Sequence, residues 1–106
     1  MSAVFWSTFA NEADAERAAN ALLDEGLIAC ANLIPGVRSI YRWNGEKGED
    51  REVATLFKTD ARLLDKAVAR LSELHPYETP AIVGWQADAV APGTAEWLSS
   101  IGSQLT

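Results

Sequence analysis

The chain has 106 residues, 15 acidic and 9 basic side chains, a net charge of −6, and 48% hydrophobic against 23% charged residues. Those figures describe one globular domain, residues 1–106, able to bury on the order of 60 to 70% of its unfolded surface without covalent staples. The acidic balance speaks against a nucleic-acid partner, because phosphate contacts need concentrated Lys and Arg, and leaves cations open as ligands.

Ala3 to Phe9 alternates, with Val4, Trp6 and Thr8 on one face and Phe5, Ser7 and Phe9 on the other, which predicts a strand. Asn11 offers an N-cap oxygen, and Ala15, Ala18, Ala19, Leu22 and Leu23 follow at helical spacing until Gly26, so an amphipathic helix is expected there. Leu27 to Trp43 is apolar on both parities and interrupted at Pro35-Gly36, which reads as one long bent strand. Asn44 to Asp50 has the Asn and Gly content of a turn, and Glu52 to Thr59 resumes as a strand, making a long hairpin. Asp60 can cap a second helix carrying Leu63, Leu64, Ala67, Val68 and Leu71, stopped by His75-Pro76. Ala81 to Ala87 predicts a fourth strand, and Trp97, Leu98 and Ile101 after Pro92-Gly93 a short closing helix.

In order this is βαββαβ plus a C-terminal helix, an α+β ferredoxin-like fold with an antiparallel sheet and two helices on one face. Two helices shield one side of such a sheet. The strands nevertheless carry large groups on both parities, as in Phe5 beside Trp6, Leu56 beside Phe57, and Leu27 beside Ile28. Apolar patches of more than a few hundred Å² are uncommon on monomers, so other copies of the chain are expected to cover the second face.

One cysteine allows no internal disulfide and fits a reducing compartment. Met1 to Phe9 passes into a polar segment with no leader pattern, and Leu27 to Val37 falls short of the ~20 residues of a membrane helix, so a cytoplasmic protein is expected.

Ala29-Cys30-Ala31-Asn32-Leu33-Ile34-Pro35-Gly36, then Tyr41-Arg42-Trp43, Lys58-Thr59 and His75-Pro76-Tyr77-Glu78-Thr79-Pro80, resemble the CutA family of divalent-cation tolerance proteins over nearly the whole chain. The resemblance implies a homotrimer similar in architecture to PII-type signalling proteins, with long hairpins pairing across subunits. It also implies a link to copper and other divalent metals, and no established enzymatic activity. Tyr41, Trp43, Glu52, Lys58, Tyr77 and Glu78 look similar to positions that recur in the family and line a cleft between subunits suited to a small ligand. A plainer role for Glu52 and Lys58, six apart on one strand face, is to form cross-strand pairs that hold the hairpin register.

Two residues are candidate metal ligands. Cys30, between alanines, is either a small buried hydrophobe or a thiolate for a soft ion such as copper. His75, the single histidine, is either a helix C-terminal cap interacting with the dipole or an imidazole ligand for copper, nickel or zinc. Leu74 stands where some relatives have a second histidine, and Ser7 where some have a cysteine, which reduces the ligands available. The acidic residues Glu46, Glu49, Asp50 and Glu52 form either a solvated turn or a site for a hard cation. An enzyme with Cys30 as nucleophile and His75 as base would need the two within hydrogen-bond reach. A trimeric adaptor that recruits another protein is the remaining alternative.

Overall fold

The computed structural model describes residues 1–102. Its elements are β1 (Ser2–Phe9), α1 (Glu12–Asp24), β2 (Cys30–Trp43), β3 (Glu46–Asp60), a 3₁₀ turn (Ala61–Leu63), α2 (Leu64–Leu74), β4 (Ile82–Gln86) and α3 (Pro92–Ser99). The four strands form one antiparallel sheet in the order β2-β3-β1-β4. This is the expected ferredoxin-like arrangement, and the elements occur in the expected chain order.

Local chemistry explains the ends of α1. Asn11 is extended and its Oδ1 accepts from the Asp14 N–H at 2.9 Å. At the other end the Gly26 and Leu27 N–H groups return to the Leu23 and Leu22 carbonyls, the Schellman pattern. That return corrects the expected strand start at Leu27. The Leu27 amide belongs to the helix end, and Leu27 and Ile28 are buried in a connector before β2 begins at Cys30. The connector is pinned to β3 by Thr59 Oγ1, which donates to the Leu27 carbonyl at 2.7 Å, and by the Ala29 N–H on the Lys58 carbonyl.

The bend expected at Pro35-Gly36 is present as a register shift between Ile34 and Val37. The turn after β2 is shorter than expected. The turn consists of Asn44 and Gly45, both with positive φ, 51° and 80°, and β3 starts at Glu46 rather than Glu52. A two-residue turn with both φ positive matches the right-handed twist of its flanking strands, so pairing continues directly from Trp43 opposite Glu46. The density of charge in Glu46 to Arg51 hides this strand from a reading based on hydrophobic alternation.

Asp60 does act as a cap, but the element it caps is the 3₁₀ turn, through Oδ2 and the Arg62 N–H at 3.1 Å. α2 then packs Ala67 and Leu71 into the core and ends before Pro76. In α3, Leu98 is buried while Trp97 stays half exposed.

The sheet has two unlike faces. Toward the helices point the rows Ala31-Phe57-Phe5-Gly84 and Leu33-Thr55-Ser7-Ile82, which join Phe9, Leu22 and Leu71 in the core. Phe5 and Phe57 stack with ring centroids 4.6 Å apart. Away from the helices point Cys30-Lys58-Val4-Trp85, Asn32-Leu56-Trp6-Val83 and Ile34-Ala54-Thr8. On this second face Ile34, Val83 and Trp85 are 46%, 60% and 49% exposed. The large groups of both parities are therefore real: one set forms the core and the other meets no second layer among the described residues.

Thr55 sits in the core with a fully buried hydroxyl that has no hydrogen-bond partner among the described residues. Thr55→Val keeps the shape and removes the unpaired oxygen. It is expected to raise the unfolding free energy by roughly 1–2 kcal/mol, the mutational scale for such a group, as measured by urea denaturation.

Candidate functional site

β1 pairs with β3 only from Val53 to Asp60, so Glu46–Glu52 and Val37–Trp43 leave the sheet as a two-stranded arm. The domain is accordingly elongated, 45 × 28 × 22 Å. On one face of the arm Tyr41 lies opposite Gly48, whose missing side chain makes room for the ring: a Cβ there would stand 2.6 Å from it. The Tyr41 hydroxyl donates to the Asp50 carboxylate. On the other face Arg38 pairs with Glu49 at 2.9 Å.

The arm and the segment after α2 enclose a groove of about 930 Å³. Tyr41, Trp43 and Glu52 line it from the arm, Tyr77 and Glu78 from the opposite wall, with Thr8 of β1 between. Five of the six residues expected at a ligand cleft thus meet in one place. Lys58 does not. It projects from the second face of the sheet between Cys30 and Val4.

Across the hairpin Glu52 lies opposite Val37 and Lys58 opposite Cys30, so neither forms a charged cross-strand pair, and six residues of strand, about 20 Å, separate the two from each other. The partner of Glu52 is Tyr77, whose hydroxyl donates to Oε2 at 2.6 Å and bridges the two walls. Arg42, Asp50 and Arg51 also border the groove. The alternation of Asp50 with Glu52 was the available signal for it, whereas the arginines lie on the opposite parity and carried none.

Both phenols are held in the protonated form. Burial, followed by the hydrogen bond and charge of Glu52, pushes the Tyr77 hydroxyl far above its ordinary value of 10.0. The hydrogen bond to Asp50 raises Tyr41 as well. Each therefore remains a hydrogen-bond donor throughout the physiological pH range.

His75 is buried behind this wall, stacked on Phe9 at 4.2 Å and tilted against Tyr77 at 4.7 Å. Its Nδ1 accepts from the Tyr77 N–H at 3.2 Å, and Nε2 faces the Thr8 carbonyl at 2.9 Å. Burial lowers its pKa below the ordinary 6.5. The helix-dipole role expected for the ring is replaced by a bond to β1. The helix end is closed instead by the His75 backbone N–H on the Leu71 carbonyl. Both ring nitrogens are engaged inside the chain, so a metal ion would have to break one of these bonds.

Cys30 is partly buried on the second face, with Sγ 3.5 Å from Asn32 Oδ1. It shares the row of Val4, whereas His75 meets the carbonyl of Thr8, four residues or about 13 Å further along β1. The nucleophile–base pair is not formed within a protomer, and the two candidate metal ligands do not converge there. Nor do the acidic residues of the arm: Glu49, Asp50 and Glu52 are bonded to Arg38, Tyr41 and Tyr77 respectively. Among the described residues no three His, Cys, Asp or Glu are grouped to hold a metal ion.

The family model of the CutA1 divalent ion tolerance protein matches residues 3–101. The divalent-cation tolerance protein CutA of Thermus thermophilus is 43% identical over 98 residues, covering 92% of each chain. That of Pyrococcus horikoshii is 40% identical over 95 residues, covering 90% of this chain and 92% of its own. Among solved structures, CutA from Xylella fastidiosa superposes with a TM-score of 0.89 at 32% identity, covering 93% of this chain and 95% of the other. Sequence and fold agree over the same span, and the chain belongs to the CutA1 divalent ion tolerance family.

Proposed function

We propose that the protein serves tolerance of divalent cations as a homotrimer that binds a small ligand or a divalent ion, copper first among them, weakly. Its non-enzymatic groove is the ligand site. The observation that carries the reading is the uncovered sheet face bearing Ile34, Val83 and Trp85, next to an arm that projects beyond its own sheet. Burying that face removes apolar area from water at about 25 cal/mol per Å², and assembly is the means of doing so without unfolding the protomer. The likeness to proteins named for divalent-cation tolerance supports the physiological side.

The groove supports a second reading on the same assembly, a signalling trimer of PII-like character whose ligand is a small organic molecule. Two fixed phenol donors, the Trp43 ring and the Glu78 carboxylate make a surface for stacking and hydrogen bonding. Metal binding, by contrast, would use Cys30, a soft donor on the face that assembly would cover. One thiol supplies too few ligands alone, so this binding is weak or shared between copies.

Sedimentation velocity at micromolar concentration is expected to give three times the 11.5 kDa mass of the chain. Calorimetric titration with copper, zinc and a panel of organic ligands, on the natural chain, Cys30→Ser and Tyr77→Phe, then separates the readings. Loss of copper heat in Cys30→Ser supports direct metal binding, and loss of organic-ligand heat in Tyr77→Phe supports signalling through the groove. A monomer, or no uptake of any ligand by the natural chain, overturns the proposal.

A further inference from the structure

We infer that His75 is a proton-operated latch on the groove: a proton taken up at Nδ1 releases the Tyr77 amide, and with it the Tyr77–Glu52 bridge between the two walls. The latch regulates the groove, and its biological meaning rests on the reading of the groove as a binding site.

Hydrogen-bond capacity decides the tautomer. A neutral imidazole has one donor and one acceptor nitrogen. The Tyr77 N–H can only donate, so Nδ1 is bare. The Thr8 carbonyl can only accept, so Nε2 carries the proton. This assignment uses the full capacity of the ring. Protonation makes both nitrogens donors and sets Nδ1–H against the Tyr77 N–H across 3.2 Å, in a site where the residue is 6% exposed and its ring is clamped between Phe9 and Tyr77. No rotation of the ring relieves the conflict without giving up the Thr8 bond.

Pro76 joins the two residues with its φ locked, which leaves the Pro76 ψ and the Tyr77 φ to carry the Tyr77 amide away from the ring. A turn about the Pro76 ψ displaces Tyr77 as a whole. Its hydroxyl is the group that reaches across to Glu52 at 2.6 Å, and both residues line the groove.

The charges acting on the ring are Glu52 from β3 and Asp14 from α1, and both favour the protonated form. β1 contributes only the uncharged Thr8 and Phe9. Burial outweighs the two carboxylates and keeps the folded-state value below 6.5. With a depressed folded-state value, the unfolded or released ring binds the proton more readily than the latched one. Stability of the closed arrangement is therefore complete above the ordinary value and is lost as pH falls through the folded one.

Native-state amide hydrogen exchange by NMR on the full chain, between about pH 7.5 and about pH 5 and corrected for intrinsic rates, tests the latch. The Tyr77 amide is expected to lose roughly tenfold protection, the effect of one lost hydrogen bond, while the amide of Phe57 in mid-sheet is unchanged. Nitrogen shifts of the His75 ring are expected to pass from the Nε2–H form to the doubly protonated form with the same midpoint. Glu52→Gln is expected to retain the response, and His75→Gln to abolish it.

If His75→Gln fails to fold, coincidence of the ring and amide midpoints in the natural chain and in Glu52→Gln decides the question. A Tyr77 amide that stays protected while the ring titrates overturns the latch, as does a response that vanishes in Glu52→Gln. None of these readouts uses a ligand. A groove that binds nothing would sink the proposed function and leave the latch standing, and the reverse holds equally.

Discussion

Phe57→Ala is expected to lower the unfolding free energy by about 3–5 kcal/mol, the usual cost of deleting a buried aromatic side chain. Phe57 is fully buried in β3 between β1 and β2, stacked on Phe5, and belongs to the core cluster that ties α1 and α2 to the sheet. Truncation loses the transfer free energy of the ring and leaves a cavity that the paired strands on both sides cannot close. For a domain of this size each kcal/mol shifts the melting temperature by roughly 4–8 °C, so a fall of about 12 to 40 °C in thermal scans is the expected result. A shift of only a few degrees would mean that the helices can settle into the gap.

A pair of aspartates separates core from assembly. Val53 lies in the core cluster, although its place on the hairpin invites the view that it forms an interface. Val53→Asp buries an unpaired carboxylate at a cost of several kcal/mol, a large share of a typical stability of about 5–15 kcal/mol, and is expected to unfold the protomer. Val83 is 60% exposed on the opposite face of the sheet. Val83→Asp is expected to leave circular dichroism native while sedimentation falls toward the mass of a single chain. An intact oligomer in Val83→Asp would remove the second face from the interface. A folded Val53→Asp protomer would show that the core tolerates a carboxylate there.

The candidate site is partly legible in the sequence. Tyr41, Trp43, Glu52, Tyr77 and Glu78 line one groove of the protomer, where the resemblance implied a cleft between subunits, because the arm and the segment after α2 form its two walls. Lys58, which the resemblance grouped with them, lies outside the groove of the protomer, because six residues of strand set it about 20 Å from Glu52. His75 is misleading for a related reason. Its position at a helix end points to the carbonyls of α2, while a carbonyl on β1 and a backbone amide two residues on take its two nitrogens. The charged strand Glu46 to Arg51 reads as turn because an arm exposed on both faces has no apolar stripe to reveal it.

Order and type of the elements were determined by the sequence alone, since alternation, helical spacing, Asn11, Asn44-Gly45 and His75-Pro76 act over a few residues and need no distant contact. The two-faced character of the strands was legible for the same reason, because side-chain parity is local. Partnerships were decided by the tertiary structure: Tyr77 with Glu52, His75 between Thr8 and the Tyr77 amide, and Cys30 far from both. Those contacts join residues as many as 67 positions apart, and only the register of β1, β3 and the arm fixes which of them meet.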